Sequence, residues 1–154
     1  MRHMTCILLV DDDPDSILPL ALELVHRGHT VTMASSAASA LSVIRQMAIQ
    51  CVITDCEMPG IDGVEFCRIL RAHPLLAELP VALMSAAPEP NEPHRYWSRF
   101  LRKPVALAEL LTVVDQVSAP RLTQRGESSG RGNCIAPRFQ ALAAQRWHPL
   151  KWTF

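Results

Sequence analysis

Four apolar runs recur between residues 6 and 84 of the chain: Cys6–Val10, Thr30–Ala34, Cys51–Thr54 and Pro80–Met84. Each is about five residues long, which suits a buried strand better than a helix. Ser98–Leu101 is a weaker fifth run. Between them Ile17–Val25, Ala37–Ala48, Val64–Leu70 and Leu107–Val117 carry apolar residues at helical spacing, with Ala37, Leu41, Ile44 and Ala48 on one face of the second. Strands alternating with helices dictate a parallel sheet, because each parallel return needs a crossover. The expected fold is α/β: a doubly wound, five-stranded parallel sheet with helices on both faces. Asp13-Pro14 opens the first helix, Gly28 closes it, and Ser35 or Ser36 caps the second. Pro19 is compatible with its helix only within the first turn, where no backbone donor is needed.

One interval breaks the pattern. Lys103 follows Ser85 by only 18 positions, and Pro88, Pro90 and Pro93 interrupt the stretch where a crossover helix belongs. Each proline inside a helix removes a donor and costs about 3 kcal/mol. The fourth helix is therefore expected to be short or missing, replaced by a loop or a single turn.

In open parallel sheets, ligands bind beyond the carboxyl ends of the strands. The charged groups of this chain fall there. Asp11 and Asp12 follow the first run, Asp55 the third, Ser85 the fourth and Lys103 the fifth. Three carboxylates on one rim repel by about 4 kcal/mol per pair at 4 Å and an effective dielectric near 20. They protonate, or they share a hard cation; Mg²⁺ fits, because it takes few carboxylates and leaves positions open for phosphate oxygens. A carboxylate beside Mg²⁺ and Lys103 is suited to accept a phosphoryl group, with Ser85 donating a hydrogen bond. Taken singly, these residues have plainer readings as caps and turns. Asp13 and Asp15 keep those readings, and Asp62-Gly63 reads as a turn with Asp62 a cap.

Taken together, Ile7-Leu8-Leu9-Val10-Asp11-Asp12, Val52-Ile53-Thr54-Asp55, Met58-Pro59-Gly60-Ile61-Asp62-Gly63, Ser85-Ala86 and Lys103-Pro104 resemble the receiver domain of two-component response regulators, the CheY-like family. The resemblance covers about residues 5–118. It implies a flavodoxin-like sheet of order 2-1-3-4-5. Asp55 would accept a phosphoryl group from a histidine kinase or a histidine phosphotransferase, with Asp11, Asp12, Asp55 and the backbone carbonyl of Glu57 holding Mg²⁺. Ser85 and Phe100 match the switch positions, and Lys103 would pair with the acyl phosphate. The chain departs from the family in its short, proline-broken interval before Lys103. Glu57 and Ala87, each two residues beyond a site residue, occupy positions that tune loss of the phosphoryl group. The implied protein is a signalling phosphoacceptor rather than an enzyme acting on a separate substrate. A haloacid-dehalogenase-type Mg²⁺-dependent phosphatase shares the residue types, but it needs its nucleophile after the first strand and its paired acids late. Here that order is reversed.

The charges cancel overall, 15 basic against 15 acidic, yet they are unevenly placed. Residues 1–119 hold 9 basic and 14 acidic groups, net −5, and residues 120–154 hold 6 basic and 1 acidic, net +5. The expected division is a receiver over 1–119 and a basic linker and tail over 120–154, too short for an effector domain. The tail combines Gly and Ser with Phe139, Trp147, Trp152 and Phe154. Three readings of it stand: an unstructured remnant, a segment docking on the receiver or on a partner, or a basic arm for nucleic acid. Six scattered charges without a motif make nucleic acid the weakest of the three. The five cysteines form no ligand spacing and read as reduced thiols, with Cys6, Cys51 and Cys67 in the core. No signal peptide and no run near the roughly 18 apolar residues of a membrane span is visible. The expectation is a cytoplasmic protein with no membrane partner, signalling to an unknown downstream protein.

Overall fold

The computed structural model describes residues 4–118. The expectations for residues 120–154 lie outside the described residues. Five strands, β1 (Cys6–Val10), β2 (Thr30–Ala34), β3 (Cys51–Asp55), β4 (Val81–Ser85) and β5 (Arg99–Arg102), form one parallel sheet of order β2-β1-β3-β4-β5. Four helices, α1 (Pro14–His26), α2 (Ala37–Gln46), α3 (Gly63–Ala72) and α4 (Leu107–Ser118), cover it. Strand alternation divides the core by face. Leu8, Val10, Val52 and Leu83 pack with α2 and α3, through Ala40, Leu41, Ile44, Phe66 and Leu70. Ile7, Leu9, Ile53 and Met84 pack with α1 and α4, through Ile17, Leu24, Leu110 and Val114. β1, β3 and β4 are buried throughout, as strands covered on both sides must be.

Local chemistry sets the helix starts. Ser36 caps α2 in a reciprocal box with Ser39, each side chain bonding the other's backbone N–H at 3.1 Å. Asp62 caps α3 by accepting from Glu65 N at 2.8 Å. Asp13 stands at the start of α1, but its side chain makes no cap bond. α1 begins at Pro14, so Pro19 falls in the second turn rather than the first. The carbonyl it leaves without a helical partner belongs to Asp15, which is exposed to water.

The connection from β4 to β5 contains no helix, as the prolines require. Its cover is built from side chains instead. Trp97 is 4% exposed and joins the α2–α3 core, with Tyr96 and Phe100 packed against the same cluster. Glu89 Oε1 holds the segment by accepting from Trp97 Nε1 at 2.7 Å and pairing with Arg95 Nε at 2.9 Å. The Arg68 guanidinium on α3 lies 5.6 Å from the centre of the Tyr96 ring. Cys51, Cys56 and Cys67 are free, and burial pushes the Cys51 and Cys67 thiols up to about 12, as expected of inert core residues. Cys6 is buried in β1 as well. No helix among the described residues is long and apolar enough to cross a membrane.

Candidate functional site

The sheet order brings the ends of β1, β3, β4 and β5 side by side. Register aligns Val10 with Thr54, Asp55 with Met84, and Ser85 with Arg102. The residue after β1 is therefore level with the end of β3, and Lys103 emerges one step beyond Ser85. Asp11, Asp12 and Asp55 converge as the sequence implies: one carboxylate oxygen from each lies within 4.8 Å of the others. Asp11 and Asp55 are only 2% and 3% exposed, while Asp12 faces solvent.

One ammonium serves two carboxylates. Lys103 Nζ lies 2.7 Å from Asp55 Oδ1 and 3.1 Å from Asp11 Oδ2. Asp11 is held further by the backbone N–H of Asp13, which donates to Oδ1 at 2.9 Å, and by Ser16 Oγ, which donates to Oδ2 at 3.2 Å. Asp55 Oδ1 differs: it is buried and ion-paired, yet it makes no hydrogen bond of good geometry. Burial pushes the Asp55 carboxyl above its ordinary value; Lys103 opposes this, and the charges of Asp11 and Glu57 add to it. For Lys103, burial lowers the ammonium, but Asp55 and Asp11 together outweigh it and raise it above the usual value. A buried carboxylate with an unsaturated oxygen, beside two further carboxylates, suits a divalent cation with oxygen ligands.

Ser85 is 1% exposed at the end of β4. Its hydroxyl donates to Glu57 Oε1 at 2.5 Å and accepts from Ala87 N at 2.9 Å. Its carbonyl accepts from Lys103 N at 2.9 Å, which joins the β4 and β5 ends of the rim. Phe100 pairs with Leu83 in register, two residues below Ser85, and is half-buried. It also lines a surface groove of about 370 Å³ with Arg99, Arg102 and Glu109, a groove that contains none of the carboxylates.

Two site features were not foreseen. The Glu57 side chain, expected only to tune loss of the phosphoryl group, is the partner of Ser85. Gly63, read as a turn residue, is the first residue of α3 and presses on the backbone of Asp55 and Cys56. A Cβ there would lie 2.2 Å from the Asp55 carbonyl oxygen and 2.8 Å from Cys56 Cα. A signal for this was present: glycine is a poor helix former, so its place immediately after a cap points to close backbone approach.

A five-stranded parallel sheet of this order, carrying acids after β1 and β3, a hydroxyl after β4 and a lysine after β5, defines a phosphoacceptor class rather than a single chemistry of its own. Residues 7–115 match the family model of the response regulator receiver domain, and the chain belongs to that family, the phosphoacceptor module of two-component signalling. Among its relatives is the transcriptional regulatory protein AfsQ1 of Streptomyces coelicolor, 35% identical over 83 residues that make up 54% of this chain and 36% of AfsQ1. The chain thus spans about a third of that relative. Protein PilH of Pseudomonas aeruginosa is 29% identical over 122 residues, covering 75% of this chain and 99% of PilH. The structure of the response regulator TrrA of Thermotoga maritima, solved in complex with Mg²⁺-BeF, is similar with a TM-score of 0.67. It is 27% identical, with 74% of this chain and 99% of TrrA covered.

Proposed function

We propose that Asp55 is the phosphoacceptor, taking a phosphoryl group from the phosphohistidine of a histidine kinase or histidine phosphotransferase. The observation that carries this reading is the buried, unsaturated Asp55 carboxylate, 2.7 Å from Lys103 and grouped with Asp11 and Asp12. An Asp55 carboxylate oxygen attacks phosphorus, the P–N bond breaks, and the imidazole leaves with its electron pair. Lys103 stays within reach of the new acyl phosphate because Asp11 anchors its ammonium from the other side. Ser85 turns its hydroxyl toward a phosphoryl oxygen, and Phe100, near it on the next strand, adjusts in response.

Asp11, Asp12, Asp55 and the Glu57 backbone carbonyl are the residues that would hold Mg²⁺. When bound, Mg²⁺ would offset the negative charge on the transferring group. Chemistry of this kind modifies the protein itself, so the chain acts as a switch. In this reading residues 1–119 are the receiver, residues 120–154 a basic tail, the setting cytoplasmic, and output goes by contact to a downstream protein. Neither nucleic acid nor membrane is required.

The test is incubation of the full chain with acetyl phosphate and Mg²⁺, followed by intact mass. One base-labile phosphoryl group is expected on the wild type, and none on Asp55→Asn or without Mg²⁺. An unmodified wild type that also refuses transfer from phosphorylated histidine kinases would refute the reading.

A further inference from the structure

The unphosphorylated site already has a bonding partner for its switch hydroxyl. Ser85 has one proton to donate, and that proton points to Glu57 Oε1 at 2.5 Å. Its oxygen is engaged as well, accepting from Ala87 N at 2.9 Å. We propose that the Glu57 side chain is a positioning residue: it holds Ser85 in the resting setting and competes with a phosphoryl group on Asp55 for the hydroxyl's single proton. This rests on the reading of Asp55 as the acceptor and assigns the regulation of that site to one side chain.

Geometry supports competition rather than bystander repulsion. Ser85 is buried and its carbonyl is tied to Lys103 N at 2.9 Å, so the hydroxyl redirects by side-chain rotation without moving the strand. Glu57 is exposed, on the loop between β3 and α3, and is free to swing into water once released. A hydrogen bond to a charged acceptor is stronger than a neutral one, so the resting state is held by more than the usual single bond. The bond also ties the loop after β3 to the start of the helix-free segment after β4. Releasing Glu57 therefore loosens both loops in one step, and Ala87, bonded to the same hydroxyl, relays the movement.

The experiment titrates beryllofluoride, a phosphoryl mimic, into the full chain in excess Mg²⁺ by calorimetry. Wild type is compared with Glu57→Ala, Glu57→Gln, Ser85→Ala and the double variant Glu57→Ala/Ser85→Ala. Glu57→Ala is expected to bind about tenfold tighter, the scale of one charge-assisted bond released. Glu57→Gln keeps an acceptor oxygen without the charge and falls between Glu57→Ala and wild type. In the Ser85→Ala background the gain from Glu57→Ala shrinks below about twofold, because there is no hydroxyl to release. An unchanged affinity in Glu57→Ala overturns the proposal. So does a tenfold gain that persists without Ser85, which would make Glu57 a source of charge repulsion alone. A wild type that binds no beryllofluoride and accepts no phosphoryl group refutes the acceptor reading itself, and is told apart from both by the wild-type titration.

Discussion

The two halves of the carboxyl edge solve different problems. Over β1 and β3, Asp11 and Asp55 are held by a few short polar contacts, two buried carboxylates sharing one lysine, with Asp12 exposed beside them. Beyond β4, a helix-free segment covers the sheet with Tyr96 and Trp97, beside Phe100 on β5, and is held by Glu89 and Arg68. The second half shows that a covering helix can be replaced, because what the sheet face requires is buried apolar area, and an irregular segment with two or three aromatic rings supplies it. The first half admits no such replacement. Its chemistry depends on where individual oxygens and one nitrogen stand, so it needs the strand ends and the tight β3–α3 turn as they are.

If side chains do carry the cover, Trp97→Ala should be the most damaging single change to stability. Deleting a buried indole costs about 3–5 kcal/mol, and Trp97 is 4% exposed within the core cluster. Urea unfolding of the variant measures this. A loss below about 1 kcal/mol would show that the segment lies on the core without supporting it, and the comparison between the halves would fail.

On the other half the corresponding test is Gly63→Ala. The added methyl meets backbone, not a flexible side chain, so the clash with the Asp55 carbonyl oxygen is relieved only by moving β3 or α3. A loss of about 1–3 kcal/mol is expected despite the better helix propensity of alanine. Phosphorylation by acetyl phosphate should slow with it, since the displaced backbone belongs to Asp55, the proposed acceptor. Gly60, whose φ of +78° requires a left-handed backbone, should tolerate alanine better in space, because nothing lies within 4 Å of its added Cβ. Normal phosphorylation in a destabilised Gly63→Ala would mean the site does not depend on that turn.

The same contrast explains what was legible in the sequence. Period and punctuation revealed all five strands and four helices, and the prolines at 88, 90 and 93 revealed the missing one. Strand-end placement brought Asp11, Asp12, Asp55, Ser85 and Lys103 to one rim. The sequence was silent where the outcome depends on contacts between loops. Glu57 reaching Ser85 across 28 positions, and Trp97 folding back onto Glu89, leave no periodic trace. The place of Pro19 was misjudged for a related reason: α1 opens at Pro14 as Asp13-Pro14 indicates, so Pro19 falls in the second turn, and tertiary packing of Ile17, Ala21 and Leu24 carries the helix past it despite its missing donor.

The acidic rim should also carry a stability penalty that the aromatic cover does not. Burial raises the Asp55 carboxyl above 3.8, so the folded protein holds that proton more tightly than the unfolded chain. The resulting stabilisation is fully present below pH 3.8 and is lost as pH rises through the raised folded value. Asn does not titrate, and it leaves Lys103 and Asp11 as a balanced pair. Asp55→Asn is therefore expected to be about 1 kcal/mol more stable than wild type at pH 7. The advantage should disappear as pH falls toward 3.8. Thermal unfolding across that range measures it. A less stable variant at pH 7 would show that pairing with Lys103 outweighs the burial of Asp55, and the site would then be stabilising rather than strained.

The smallest expected effect asks how the aromatic cover is joined to α3. The Arg68 guanidinium lies over the Tyr96 ring, but Arg68 also pairs with Glu65 at 2.8 Å on its own helix, and both charged side chains are about half exposed. An exposed cation–π contact contributes about 0.5–1 kcal/mol, and an exposed i, i+3 ion pair less. Arg68→Ala removes both; Glu65→Gln removes only the ion pair. If the ring contact is the tie, Arg68→Ala should lose about 0.5 kcal/mol more than Glu65→Gln in low salt, and that difference should survive at 1 M salt, where the ion pair is screened. Equal losses that vanish together in salt would assign the whole effect to α3 and leave Trp97, with its partner Glu89, as the anchor of the segment that replaces the helix.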